Sequence, residues 1–256
     1  MRLGAIVAMV LGCCVGASAD TSIVVDPLVS ETHVSPGGTM TISVAVGSHS
    51  DQAERVVITP LDWRTRIDGS IAIEPLGSEG RRSLTPYCTL AVHQFILAPK
   101  EHRRIALTVA LPTTLDPTPA SYWGGFIVKA TPVDQPPSTM GPAATVFVYN
   151  DVGTPKRHLT MQSLRTQLKA KGVLRISARY YNDRDGYLRT GAYLTITQSA
   201  RVVVKQQIGL GTIFPKQLRV VDQTVTGLGP GVYHVELDVD YGGETVLVGE
   251  TNATVP

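Results

Sequence analysis

RRIALTVAL, residues 103–111, sets Ile105, Leu107, Val109 and Leu111 against Arg104, Ala106, Thr108 and Ala110. A period of two puts successive side chains on opposite faces of a strand, so this run reads as a strand with one buried and one wetter face. The same grammar extends on either side of it. Short apolar or alternating runs recur at 22–25, 40–46, 55–63, 70–74, 93–97 and 122–131, and none shows the periodicity of a helix. Pro36-Gly37-Gly38, Asp68-Gly69 and Pro99-Lys100-Glu101 separate them with turn chemistry.

Beyond residue 131 come Pro132, Pro136, Pro137 and Pro142, a stretch that cannot hold a central strand because proline lacks the donor. ATVFVY (144–149) follows it and reads as the last strand of a first unit, fed by a long loop. NDVGTP (150–155) is turn chemistry throughout and marks the junction. Seven further runs follow, at 158–167, 173–182, 191–197, 202–210, 217–225, 231–241 and 245–255. The expected fold is therefore all-β: two tandem immunoglobulin-like β-sandwiches, 20–150 and 151–256, behind a signal peptide at 1–19. KAKG (169–172) and YGGE (241–244) read as hairpin turns. Tyr233, just after Leu228-Gly229-Pro230-Gly231, reads as a corner tyrosine whose hydroxyl bonds to nearby backbone.

The export signal rests on Arg2, the apolar stretch 5–11 and the small residues Ala17-Ser18-Ala19, with Asp20 as the mature start and the periplasm as destination. The apolar stretch is short of the roughly 20 residues a membrane helix needs, so no integral span is expected. A second reading takes Val10-Leu11-Gly12-Cys13 as a lipoprotein box, which would leave a lipid anchor at Cys13. Cys13 and Cys14 fall within the signal, so the exported chain keeps Cys88 alone and forms no internal disulfide; Cys88 reads as core.

Lys and Arg number 23 against 21 Asp and Glu, a formal charge of +2 with the basic residues scattered, which gives no footprint for nucleic acid. The six histidines sit in no nucleophile motif, and no catalytic residue, cofactor or metal site is expected. In Asn182-Asp183-Arg184-Asp185-Gly186, Tyr181 stands where a calcium loop begins and Ala192 where its closing glutamate belongs, so the segment reads as a plain turn. Asp238 and Asp240 share a strand face and read as a solvated edge. Trp63 and Trp123 read as core anchors, with Asp62-Trp63-Arg64 alternatively presenting Trp63 and Arg64 to a partner.

Three stretches of the first unit resemble the periplasmic pilus-assembly chaperones, the PapD-like family. They are Ile23-Val24-Val25-Asp26-Pro27 leading to Pro36-Gly37-Gly38, Phe95-Ile96-Leu97-Ala98-Pro99 followed by 104–112, and Ala120-Ser121-Tyr122-Trp123-Gly124-Gly125-Phe126. The second unit looks more like a generic immunoglobulin- or fibronectin-like module. The resemblance implies a non-enzymatic chaperone for surface-fibre (pilus or fimbria) assembly whose partners are pilin-like or other extracytoplasmic subunits, held by lending them an edge strand. It also implies an arginine near the first strand and a lysine at the start of the last strand, anchoring a client carboxylate. Neither is present: no arginine lies within 21–51, and Thr139-Met140-Gly141-Pro142 precedes the last strand, so no anchor residue is carried over. The candidate lending strand is Thr145, Val146, Phe147, Val148 and Tyr149, with the two valines facing one way and the two aromatics the other. The competing expectation is a structural or adhesive module of the cell envelope, which would cover this strand.

Overall fold

The computed structural model describes residues 23–136 and 141–256. The signal peptide, the start at Asp20, Cys13 and the pair Thr139-Met140 lie outside the described residues. No helix among the described residues is long and apolar enough to cross a membrane.

The first domain runs β1 (Ile23–Asp26), β2 (Val29–Thr32), β3 (Thr39–Ser48), β4 (Glu54–Thr65), β5 (Ile71–Glu74), β6 (Cys88–Leu90), β7 (Gln94–Leu97), β8 (His102–Ala110), β9 (Ala120–Pro132) and β10 (Ala143–Val152). One sheet has the order β1-β3-β8-β6; the other has β2-β10-β9-β4-β5, with β7 also on β4. Ile105, Leu107 and Val109 of β8 point inward, as their alternation demands, and meet Val56, Ile58, Phe126, Val128, Val146 and Val148 from the facing sheet. This is a sandwich in which the two inner faces make one core.

Cys88 is half-buried at the margin of that core, and burial pushes its thiol up to about 12. Because the thiolate is the nucleophile, alkylation of the native protein at pH 8 should run at least about a hundredfold slower than in denaturant. A time course with iodoacetamide, read by mass spectrometry, checks this; equal rates would mean that Cys88 is open to solvent.

The second domain runs β11 (Leu159–Ala170), β12 (Val173–Asn182), β13 (Leu188–Gln198), β14 (Arg201–Ile213), β15 (Leu218–Val225), β16 (Gly231–Asp240) and β17 (Leu247–Val255). Its sheets are β11-β12-β15 and β14-β13-β16-β17, closed over a separate core that includes Ile176, Tyr180, Leu194, Ile196, Val235 and Leu237. Lys171-Gly172 turns β11 into β12, with Gly172 at φ 69 where a side chain would be strained. The Tyr233 hydroxyl donates to the Gly229 carbonyl at 2.8 Å, the corner bond expected of it.

Two strands have no counterpart in the sequence reading. β6 is three residues long, and β2, Val-Ser-Glu-Thr, has no apolar run to announce it. β2 arises because the chain leaves the first sheet after Asp26 and joins the second beside β10.

Candidate functional site

The site is built on the outer face and edge of the β2-β10-β9-β4-β5 sheet. Partners directly opposite in a ladder share a face. Val146 lies opposite Phe126 and Val148 opposite Gly124, on the core side; Phe147 lies opposite Gly125 and Tyr149 opposite Trp123, on the outer side. The alternation read from the sequence is present, but the two faces are not equivalent. Val146 and Val148 are buried in the first-domain core, whereas Phe147 is half-buried and Tyr149 buried in a second cluster outside it.

That cluster joins the domains. Trp63, Trp123 and Tyr149 of the first domain meet Tyr187 and Phe214 of the second. The Phe214 ring stacks on Trp123 at 4.2 Å between centroids and meets Trp63 edge-on at 5.0 Å. Tyr149 lies 4.5 Å from Tyr187, and its hydroxyl, pushed up to about 12 by burial, shares a hydrogen bond of 3.0 Å with Thr212 Oγ1. Each indole N–H has a backbone acceptor, Trp63 on Gly124 and Trp123 on Trp63. The tryptophans are therefore buried, but at the domain interface rather than in a sandwich core. Arg64, the other half of the surface reading, is exposed and pairs with Glu74 at 3.0 Å.

A polar frame surrounds the aromatics. Thr65 Oγ1 lies 3.0 Å from the Thr212 carbonyl and 2.9 Å from Gln217 Oε1, and Gln217 returns a bond to the Thr65 carbonyl. The segment 182–186 is a turn, but one that docks on the first domain. Ser121 N–H donates to the Asp185 carbonyl at 3.0 Å, and Arg82 reaches the Asp185 carboxylate at 2.9 Å. Asp151, buried at the end of β10, accepts from Ser121 Oγ and Arg157. None of these long-range partners has a signature in local sequence, and Phe214 and Tyr187 went unmarked there because each sits beside turns rather than in a patterned run.

Next to this interface the sheet is uncovered. A 220 Å³ groove lies between Val29, Ile71 and Phe147 on one side and Arg189, Gly211 and Thr212 on the other. Ile71 and Ile73 of β5 are each 48% exposed and stand opposite Thr65 and Trp63. The cation in the groove comes from the second domain: Arg189 pairs with Glu31 of β2 at 2.7 Å.

The edge of β10 is covered over only part of its length. β9 pairs with all of Ala143–Val152, whereas β2 runs parallel to Phe147, Val148, Tyr149 and Asn150 alone. In an antiparallel ladder, residues alternate between bonding the partner strand and pointing away from it. Ala130 N–H bonds the Pro142 carbonyl, so Pro142, Ala144 and Val146 bond toward β9; Phe147 N–H goes the other way, to the Leu28 carbonyl at 2.8 Å. By the same alternation Ala143 and Thr145 direct their N–H and C=O groups to the outer edge, where no described strand meets them. Of the five residues of the candidate strand, Thr145 presents this open backbone, Val146 belongs to the core, and Phe147, Val148 and Tyr149 are shielded by β2.

No protein-family model matches the chain, and no curated protein matches it. Among solved structures it is similar to a chain of the chaperone–tip adhesin complex described as vital for activation of CFA/I fimbriae biogenesis. That match has 14% identity and a TM-score of 0.47, covering 90% of this chain and 98% of the other. It is similar to the YadV chaperone at 15% identity and a TM-score of 0.47, covering 91% and 99%. A chain of the CsuC–CsuE chaperone–tip adhesion subunit pre-assembly complex of Acinetobacter baumannii matches at 12% identity and a TM-score of 0.46, covering 89% and 97%. The matched spans take in both domains, whereas the sequence carried its resemblance in the first.

Proposed function

We propose that this chain is an exported, periplasmic, chaperone-like protein for surface-fibre subunits, and that it binds them by adding a strand to the edge of β10. The observation that supports this reading is the open edge at Ala143 and Thr145 beside an uncovered apolar face. An edge offers backbone hydrogen bonds to any strand, and neighbouring side chains select which strand fits. Here the selecting groups are Phe147 and the exposed Leu28, whose carbonyl marks where β2 stops covering the edge. An incoming strand continues the line of β2 beyond Leu28, so β2 stays in place. The β2 cover over Phe147, Val148 and Tyr149 favours the second reading, a structural or adhesive module, only if binding proves independent of this edge.

Thr145→Pro tests the proposal. The proline removes an N–H directed to the outer edge, where no described strand meets it, and an edge strand tolerates it there. Stability should stay within about 0.5 kcal/mol of wild type, as for a surface change. Mature protein 20–256 used as bait in its native envelope should recover a small β-rich subunit; Thr145→Ala should retain it and Thr145→Pro should lose it. Recovery of the same partner by the folded proline variant would sink strand addition here and move the assignment to the envelope module.

A further inference from the structure

On the second domain, away from the groove, three side chains with metal-binding atoms converge. His234 and Glu236 are two residues apart on β16 and so project from one face of it; Glu250 of β17 lies directly opposite Glu236. One donor atom from each lies within 4.8 Å of the others, and His234 Nε2 is 4.0 Å from Glu250 Oε2.

Two features distinguish this from an ordinary solvated strand face. First, two carboxylates face each other across a ladder, where like charges repel. The other flanking strand offers no cation, since β13 places Thr195 beside Glu236 and Thr197 beside His234. Second, the imidazole is oriented from behind. Asn252, opposite His234, sets its Oδ1 3.3 Å from Nδ1, and this oxygen can only accept. A bond between them uses the N–H of Nδ1 and leaves Nε2 as the ring nitrogen on the side of the carboxylates. A ring N–H held by an amide or carboxylate oxygen is the usual support for a metal-ligating histidine.

We infer that His234, Glu236 and Glu250 form a binding site for one borderline divalent cation of the zinc type, with water completing the coordination. One imidazole and two carboxylates suit zinc, nickel or copper. Magnesium and calcium, which call for near-complete oxygen shells, are poorly served by three ligands that include a nitrogen. The ion would replace the repulsion between the glutamates with a clamp from β16 to β17, the edge strand of its sheet. The inference is independent of the strand-addition reading.

The experiment is calorimetric titration of untagged protein 20–256 with zinc chloride and, separately, magnesium chloride, paired with thermal unfolding in each salt. The expected result is saturable binding of one zinc per chain, a raised unfolding temperature, and no comparable response to magnesium. His234→Ala, at a half-buried position, and Glu250→Gln, at an exposed one, should each weaken zinc by at least about tenfold. His158→Ala, removing an exposed histidine that pairs with Asp183 elsewhere, should leave it unchanged. Absence of saturable zinc binding, or affinity that survives His234→Ala in a protein shown to be folded, overturns the site. An ordinary ion pair between His234 and Glu250 would give that same absence of any zinc effect.

Discussion

Val146→Asp and Val148→Asp should each unfold the first domain rather than remove a binding contact. Val146 is 2% and Val148 0% exposed, and both pack in the core among Ile58, Leu107 and Val128. An aspartate at either point is enclosed by apolar side chains, and an unpaired buried charge costs several kcal/mol even after relaxation. Against a total stability of about 5–15 kcal/mol that is enough to empty the native state of one domain. Urea unfolding followed by tryptophan fluorescence, with circular dichroism in native buffer, measures it. Native spectra and an unchanged midpoint in either variant would mean that β10 does not bury these valines. Substitution of the valines therefore cannot test strand addition, and Thr145, whose backbone faces outward, is the position that can.

Phe214→Ala should uncouple the domains at a cost of roughly 3–5 kcal/mol, the usual penalty for truncating a buried phenylalanine. Phe214 lies just beyond β14, outside the second-domain core, and its ring fills the space between Trp63 and Trp123. Removing it leaves both sandwich cores whole and opens a cavity between them. Scanning calorimetry should show one cooperative transition for wild type and two for the variant, with a blue-to-red shift in tryptophan emission as the indoles become wet. Tyr193→Ala, at an exposed position of β13, is the control and should leave the single transition intact. A single unshifted transition for Phe214→Ala would show that the domains are held by the polar frame around Thr65, Gln217 and Asp185 instead.

The difference between these residues also explains how much of the site was legible. Ile105, Leu107 and Val109 announce a buried strand face by alternation alone, and the seven runs of the second half each contain a strand, because a two-residue period is local information. Ala144 to Tyr149 reads as a strand for the same reason, but β10 runs on through Asn150, Asp151 and Val152, whose turn chemistry is overridden by pairing with β9. The Pro-rich stretch before it reads as barred from a central strand, yet Pro132 ends the central strand β9 opposite Glu54, where the missing donor costs little; Pro142 stands just ahead of β10, bonding through its carbonyl. What alternation could not reveal was which face of β10 was inner. Val, Val and Phe, Tyr are both apolar sets, so either could be the core face; in the structure the valines enter the sandwich, Tyr149 is buried under the neighbouring domain and Phe147 is half-buried beside the groove.

β2 shows the remaining limit. Val-Ser-Glu-Thr lacks the hydrophobic content of a strand, and its pairing is decided by a neighbour 118 residues later, Asn150, whose side chain meets Thr32 Oγ1 at 2.7 Å. Sequence by itself determined that this is an all-β chain, where most strands lie, and that Tyr233 closes a corner, since period, turn residues and capping act over a few residues. Only the tertiary structure decided that Trp63 and Trp123 join two domains, that β2 covers β10 from Phe147 to Asn150 while no described strand meets Ala143 and Thr145, and that His234 meets Glu250. Those outcomes depend on strand order and register, which bring together residues far apart in the chain and leave no mark on either segment alone.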